Sequence, residues 1–164
     1  MKSKIICLIA VAAMFICGCG AAATSATVSM YDLSKEMLAA DSSLPDMTTV
    51  SSNDDAAESN FSYLSDLDYS KVDSYFLSYS SEGKADEIAV IAVKDTNDVN
   101  EAKSTLEAQV DSRKKLYETY DTDQVERVNK AVVFTSGQYA VLIISDNSSE
   151  VKSAFEKFIE NNNK

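Results

Sequence analysis

The sequence of 164 residues contains no histidine, and its three cysteines all lie within the first nineteen positions. The absence of histidine excludes Ser-His-Asp and Cys-His nucleophile systems, histidine acid–base chemistry and ordinary zinc sites. Because no cysteine follows Cys19, no disulfide can support the rest of the chain, which burial and hydrogen bonding must hold together. No catalytic motif is complete. The sequence therefore predicts a protein that is not an enzyme, with no catalytic residues, no metal site and no cofactor.

Basic residues are also scarce, since 15 lysines and arginines stand against 26 aspartates and glutamates, a net charge of −11. Such a surface repels nucleic acid and anionic lipid headgroups, so neither is an expected partner. The acids are dense in residues 41–73, which carry eight of them against the single Lys71. We interpret them as a solvated acidic face. A calcium site is the alternative, but no twelve-residue loop with a central glycine and a terminal glutamate supports it. The acids considered for that site are Asp54, Asp55, Asp66, Asp68, Asp121 and Asp123.

Tryptophan is absent, whereas tyrosine occurs eight times. Tyrosines of this number could form a carbohydrate-binding or peptide-binding surface. However, Tyr75 and Tyr79 share a predicted strand face with Leu77, and Tyr117 lies on a predicted helix stripe. Packing in or beside the core is therefore the default interpretation, and a binding platform is the alternative.

The only long apolar run stands at the N-terminus. Lys2 and Lys4 provide a positive start, residues 5–16 are apolar, and small residues follow. This arrangement is typical of an export signal, and the run is shorter than the roughly 20 residues that a spanning helix needs.

The segment Ile16-Cys17-Gly18-Cys19 looks like a bacterial lipobox, with a branched residue at −3, a small residue at −1 and a cysteine that accepts diacylglycerol. We therefore expect residues 1–18 to be a lipoprotein signal peptide and Cys19 to be lipidated. The alternative is an ordinary secretory signal, because Ala21-Ala22-Ala23 offers a cleavage site that would release a soluble protein.

Cleavage before Cys19 would remove Lys2 and Lys4, which lowers the basic count from 15 to 13 against 26 acids and gives a mature charge of −13. Residues 20–29, which follow the cysteine, are mostly small and uncharged and show neither helical nor strand periodicity. We predict that residues 19–29 are the lipidated cysteine and a flexible tether, and that residues 30–160 form a single globular domain.

Hydrophobic periodicity predicts an α+β domain with the order β-β-α-β-β-α, preceded by one or two helices. The simplest packing is a two-layer sandwich, in which a four-stranded antiparallel sheet carries its helices on one face. The predicted elements are helices 30–40 and 56–64, strands 73–80 and 87–94, a long helix capped by Asn97 or Asp98, strands 131–136 and 139–145, and a last helix that begins at Asn147.

The leader and several features of the domain also resemble a known family, and the similarity covers about residues 30 to 160. They are the lipobox, the Leu44-Pro45 exit of the first helix, Ala85-Asp86-Glu87-Ile88-Ala89, Arg113, Tyr120, Gly137-Gln138-Tyr139, Ser145-Asp146 and Phe155. Together they resemble small lipoproteins of Gram-positive, mainly clostridial, bacteria that are grouped as a domain of unknown function. Relatives often carry a proline soon after the position of Tyr120, where this chain has Asp121-Thr122-Asp123. The resemblance implies an envelope lipoprotein, and it carries over no catalytic residue because the family has none assigned.

The candidate structural or binding residues are Asp86, Glu87, Arg113, Tyr120 and Tyr139. Asp86 and Glu87 stand where a hairpin turn leads into a covered strand, and the long helix must cross the same sheet. Arg113 could therefore contact one of the two carboxylates. An ion pair that fixes the helix against the hairpin is the favoured interpretation, and a ligand site is the alternative.

The sequence thus predicts a lipid-anchored protein on the extracytoplasmic face of the cell membrane, acting as a non-catalytic binding or protein-interaction module of the envelope. Its expected partners are membrane lipid, through acylated Cys19, and an unknown envelope protein or small ligand. The alternative function is solute capture or carboxylate-based hydrolysis. A concave pocket lined by converging polar groups would favour that alternative, and a flat exposed patch would favour interaction with a protein.

Overall fold

The computed structural model describes residues 28–162. Within this range the chain forms an antiparallel sheet with helices on both of its faces. The helices are α1 (Met30–Ala39), α2 (Ala57–Phe61), α3 (Val99–Tyr120), α4 (Val125–Asn129) and α5 (Ser148–Asn162). The strands are β1 (Met47–Ser51), β2 (Val72–Ser80), β3 (Glu87–Val93), β4 (Val132–Ser136) and β5 (Tyr139–Ile144). Short 3₁₀ turns occupy Tyr69–Lys71, Thr96–Asp98 and Thr122–Gln124. No helix in the described range is long and apolar enough to cross a membrane.

The strand order is β1-β2-β3-β5-β4, and every neighbouring pair is antiparallel. Two hairpins, β2–β3 and β4–β5, are joined by the pairing of β3 with β5. Their turns contain Gly83 at φ +78° and Gly137 at φ +57°, backbone angles that glycine adopts without a steric penalty. Helix α3 crosses one face of the sheet between the two hairpins. The neighbouring strands β3 and β5 therefore come from different hairpins.

Both faces of the sheet are apolar, and both are covered. Every residue of β3 and β5 is buried, and successive side chains alternate between the two faces. One face packs against α3 through Leu106, whereas the other packs against α1 and α5 through Leu33 and Phe155. The expectation of a two-layer sandwich with helices on one face is therefore wrong. A sheet whose central strands carry apolar side chains on both faces needs cover on both.

The sheet also has a fifth strand that the sequence did not predict. Strand β1 pairs with β2 along the edge of the sheet, with Val50 opposite Leu77. It is only five residues long, and turn-forming residues stand on either side of it, so its β-branched residues Thr48, Thr49 and Val50 are too short a signal to identify it. The prediction of four strands is wrong by one, whereas the coarser prediction of an α+β domain with an antiparallel sheet is confirmed.

The folded domain begins earlier than the predicted start at residue 30. Val28 is buried against the cluster that covers one sheet face, and Ser29 caps α1 by accepting a hydrogen bond from the backbone N–H of Asp32 at 3.2 Å. These two residues, predicted to belong to the tether, are part of the domain. The predicted signal peptide 1–18, the lipidation site Cys19 and the remainder of the tether lie outside the described residues.

Candidate functional site

A cleft of about 350 Å³ opens on the face of the sheet that carries α3. The strands contribute Val50, Leu77, Tyr79 and Glu87, and the helical side contributes Asn60, Tyr63, Gln109 and Arg113. Most of these side chains are polar or aromatic, and they come from β1, β2, β3, α2 with the turn after it, and α3. The cleft is therefore a concave site on which polar groups from several elements converge.

A buried ion pair forms one wall of the cleft. The side chain of Glu87 is 1% exposed and that of Arg113 is 22% exposed. The Nε of Arg113 donates a hydrogen bond to Oε2 of Glu87 at 2.5 Å, and its Nη2 contacts the same oxygen. The Nε2 of Gln109 donates to the other carboxylate oxygen, Oε1, at 3.1 Å. Gln109 and Arg113 are four residues apart on α3 and so lie on one face of the helix. The contact predicted for Arg113 is present, and its partner is Glu87.

This pairing determines what the cleft can do chemically. Both carboxylate oxygens of Glu87 accept hydrogen bonds, so the group is not placed to act as a free base or nucleophile. The Nη1 of Arg113, in contrast, has no hydrogen-bond partner within residues 28–162. The wall is electrically balanced and still offers donors to a ligand.

The neighbouring carboxylate, Asp86, has a different arginine. Its Oδ2 accepts a hydrogen bond from Nη1 of Arg127 at 2.8 Å, and Nη2 of the same arginine donates to Asp146 at 2.7 Å. Burial raises the pKa of Asp86 above its ordinary value, against the opposing effect of the Arg127 charge. The hydrogen bond from Arg127 lowers the pKa of Asp146. Arg127 thus joins α4 to the beginning of β3 and the end of β5, outside the cleft.

A third buried carboxylate, Asp41, joins the end of α1 to the beginning of α5. It accepts hydrogen bonds from the backbone N–H of Ser43 at 2.8 Å, from the Ser145 hydroxyl at 2.5 Å and from the Asn147 amide at 2.8 Å. Burial alone would raise the pKa of Asp41, but these hydrogen bonds outweigh it and hold that pKa well below its ordinary value. Both oxygens are engaged, so Asp41 fastens two helices on the face opposite the cleft.

The two predicted tyrosines do not belong to the cleft. Tyr120 ends α3 and is 80% exposed. Tyr139 is buried on the opposite face of the sheet, where its ring packs edge-on against Phe155 with ring centroids 5.9 Å apart. Of the five candidate residues, the structure brings Glu87 and Arg113 together and places the other three elsewhere.

Several residues of the site were missed by sequence reasoning. Gln109 has the one usable signal, because it stands four residues before Arg113 on a predicted helix. Asn60 lies in the last turn of α2 and Tyr63 follows that helix, in a stretch dominated by acids and serines. No local sequence pattern distinguishes either residue. Arg127 lies on α4, a five-residue helix that the sequence did not predict.

Three of the six acids named for the alternative calcium site have local structural roles. Asp54 accepts the backbone N–H of Ser51 at 2.7 Å, Asp68 that of Ser70 at 2.9 Å, and Asp121 that of Asp123 at 3.2 Å. Each carboxylate therefore closes a local turn or caps a short helix. Across residues 28–162, no group of three or more histidine, cysteine, aspartate or glutamate residues could hold a metal ion.

A family model described as "Domain of unknown function (DUF4358)" matches residues 46–145, which is more than half of the chain. The chain belongs to the DUF4358 family. The matched region begins just before β1, ends just after β5 and contains every residue of the cleft, whereas α1 and α5 of this DUF4358 protein lie outside it. The expected resemblance to a domain of unknown function is confirmed at that level, and the lipoprotein and clostridial parts of it stay predictions. No curated protein and no solved structure matches the chain.

Proposed function

We propose that this protein is a lipid-anchored lipoprotein on the extracytoplasmic face of the cell membrane, and that its domain is a non-catalytic module that captures a small ligand in the cleft. The observation that carries the proposal is the cleft itself, a concave site with converging polar and aromatic side chains. That shape favours capture of a solute, which the sequence left as the alternative, over docking of a protein on a flat patch.

The chemistry of the lining supports binding without reaction. Hydrolysis by carboxylates needs two such groups that face each other across the substrate. The lining of the cleft includes a single carboxylate, Glu87, and both of its oxygens are engaged by Arg113 and Gln109. The donors that remain are the amides of Asn60 and Gln109, the Nη1 of Arg113 and the two tyrosine hydroxyls, and these groups can orient a ligand.

The proposed anchor rests on the sequence of the leader. Cys19 follows Gly18, and two acyl chains on its thiol would contribute about 0.8 kcal/mol for each buried methylene. Nine peptide units separate Cys19 from Val28, the first described residue, and they span at most roughly 30 Å. That reach is sufficient to hold the cleft clear of the lipid headgroups.

Photo-crosslinking at Tyr63 tests the cleft. Tyr63 and Tyr120 are both exposed, at 74% and 80%, but only Tyr63 lines the cleft. We would replace each with p-benzoylphenylalanine in the full chain, irradiate intact cells that make the protein and measure the mass of the intact product. We expect an adduct of small-molecule mass at position 63 and none at position 120. Equal labelling at both positions, or none at position 63, would overturn the proposal; a protein adduct at position 63 alone would replace solute capture with protein interaction.

Substitution of the anchor cysteine tests the localisation. We expect the unaltered protein to enter the detergent phase of a Triton X-114 extraction and the Cys19→Ala variant to stay in the aqueous phase. Mass spectrometry of the N-terminal peptide provides the direct readout, because a lipidated Cys19 would begin the mature chain. A peptide that begins beyond Ala23 without acyl groups would show free secretion instead.

A further inference from the structure

A second depression, of about 140 Å³, adjoins the cleft. Tyr63 and Gln109 line both depressions, so the two are neighbours that share these side chains. We call the combined surface the Tyr63 groove. The second depression is lined mainly by hydroxyl side chains, among them Ser62 and Ser112, together with Asp66.

Tyr63 is the most prominent feature of the groove. It is 74% exposed, its ring stacks on no other aromatic ring within residues 28–162, and its hydroxyl has no hydrogen-bond partner in that range. An aromatic ring left in this state carries an apolar face that the fold does not use. Tyr79, which is half-buried, contributes a second ring to the lining of the cleft. The groove therefore offers flat apolar surfaces between polar groups.

The polar groups of the groove are both donors and acceptors. The amides of Asn60 and Gln109 can do both, and Nη1 of Arg113 supplies further donors. The hydroxyls of Ser62 and Ser112 donate to the backbone carbonyls of Ser59 and Ala108, which leaves their oxygens free to accept. A ligand that matches this mixture carries many groups that donate and accept at once, as hydroxyl groups do.

The charge of the site favours a neutral ligand. Glu87 and Arg113 neutralise each other in the cleft, and the domain around them is strongly acidic. That acidic surface repels phosphorylated or carboxylated ligands. A cationic group finds no free carboxylate in the cleft, where both oxygens of Glu87 are engaged, and the other carboxylate of the groove, Asp66, lies in the second depression.

From these observations we propose that the Tyr63 groove binds a neutral oligosaccharide, with the apolar faces of its sugar rings against Tyr63 and Tyr79 and its hydroxyls on the amides, Arg113 and the serines. This inference rests on the proposed function, because it names the ligand class of the same cleft. An extended peptide is the competing class. A peptide that adds to a sheet needs a free strand edge, and β2 and β3, which supply Leu77, Tyr79 and Glu87, are paired on both of their edges. Strand β1, which supplies Val50, is the edge strand at the cleft, so a peptide could add to the cleft only there, and the peptide probe in the test below addresses that outcome.

The test is titration of the purified full chain, held in a detergent without a sugar headgroup. The probes are β-1,4-linked N-acetylglucosamine oligomers and β-1,4-linked glucose oligomers, each from monosaccharide to hexasaccharide. We expect saturable binding of at least one series, with affinity that rises with length until both depressions are filled. Tyr63→Ala should weaken binding about tenfold, whereas Tyr63→Phe, which keeps the ring, should retain it. Tyr120→Ala is the matched control, because it removes a similarly exposed tyrosine that lies outside the groove. This variant should bind as the unaltered chain does.

A second pair of variants separates the two depressions. Asn60→Ala should weaken binding of short and long oligomers alike, whereas Asp66→Ala, in the second depression, should remove the gain that longer oligomers show and leave short ones unaffected. Equal unfolding temperatures of the variants and the unaltered chain verify that each variant folds.

Three results would overturn the saccharide assignment: no binding of either series at millimolar concentration, binding that Tyr63→Ala leaves unchanged, or Tyr63-dependent binding of acetyl-trialanine amide in place of the sugars. Absence of sugar binding together with a small-molecule photo-adduct at position 63 would remove the saccharide class and keep the capture module. Absence of both would remove the two proposals together.

Discussion

At the scale of single residues, Asp86 and Glu87 show how two adjacent acids can take different roles. They stand at the start of an extended strand, where successive side chains point to opposite sides. Glu87 meets Arg113 of α3 and forms the wall of the cleft, whereas Asp86 meets Arg127 of α4 at the end of the sheet. A buried carboxylate without a cation is strongly destabilising, so each arginine is needed at its own position.

The first prediction concerns Arg113. The Arg113→Ala variant leaves Glu87 buried without its partner, and we expect it to lower the free energy of unfolding by about 2–4 kcal/mol. This range allows for the partial exposure of Arg113, which weakens the ion pair through solvent screening. The double variant Glu87→Gln, Arg113→Met should lose less, because it buries no unpaired charge. Urea denaturation measures both values. Lys115→Ala, an exposed cation on the same helix, is the control, and an equal loss in this control would contradict the structural role of the ion pair.

The second prediction concerns pH. The pKa of Asp41 is lower in the folded protein than the value of about 3.9 expected in the unfolded chain. Its contribution to stability is therefore fully present above about pH 4 and is lost as the pH falls towards the folded-state pKa. The Asp41→Asn variant should be less stable at neutral pH yet lose less stability between about pH 4 and pH 2. Asp86 has the opposite effect. Because its pKa is raised in the folded protein, its contribution to stability decreases as the pH rises.

Thermal unfolding over a pH series measures this difference. Asp111→Asn is the matched control, because Asp111 is exposed and forms no hydrogen bond or ion pair through its side chain within the described residues. We expect its pH profile to parallel that of the unaltered protein. If the unfolding temperature of the Asp41→Asn variant followed the same pH dependence as that of the unaltered protein, the role assigned to Asp41 would be contradicted.

At the scale of elements, length decides what the sequence could predict. The periodic patterns of α1, α3, α5 and β2, and the continuous apolar runs of β3 and β5, are long enough to identify each element and, for β2, which side chains share a face. Strand β1 and helix α4 have five residues each, too few for a period, and they lack a neighbouring signal such as the Gly137 turn that reveals the equally short β4. The same limit applies to the site. Arg113 could be expected to contact Asp86 or Glu87, but the choice depends on which face each side chain occupies, and Tyr63 carries no local signal.

The third prediction concerns the start of α3. Asn97 or Asp98 was expected to cap this helix, but Asp98 makes no side-chain capping hydrogen bond. Asp95 instead accepts the backbone N–H of Asn97 at 2.9 Å and caps the 3₁₀ turn that leads into α3. We expect Asp95→Ala to lower the free energy of unfolding by about 1 kcal/mol. Asn97→Ala, measured in the same urea titration, should cost clearly less, and a larger cost for Asn97→Ala than for Asp95→Ala would contradict this assignment.

At the scale of the whole molecule, the matched family region does not coincide with the folding unit. Residues 46–145 contain the sheet and α2 to α4, but they lack α1 and α5. Those two helices bury the sheet face opposite the cleft, a surface of large apolar side chains: Phe76, Ile88, Val90, Val141 and Ile143. Burial of a large apolar side chain contributes about 1.5–3 kcal/mol, and the stability of a whole domain is only about 5–15 kcal/mol. The cleft therefore depends on helices that do not touch it.

The fourth prediction follows from that dependence. A fragment of residues 46–145 should expose the uncovered sheet face, bind the dye ANS and unfold without a cooperative transition. The free energy of apolar burial that it lacks exceeds the stability of a whole domain. A fragment of residues 28–162 should unfold cooperatively and bind little dye. Fragments 28–145 and 46–162, which each restore one helix, should lie between these two in dye binding, since α1 and α5 also pack on each other. Dye fluorescence and thermal unfolding by circular dichroism measure both properties. A cooperative transition in fragment 46–145 would show that the sheet and α3 suffice, and that α1 and α5 serve another purpose than cover.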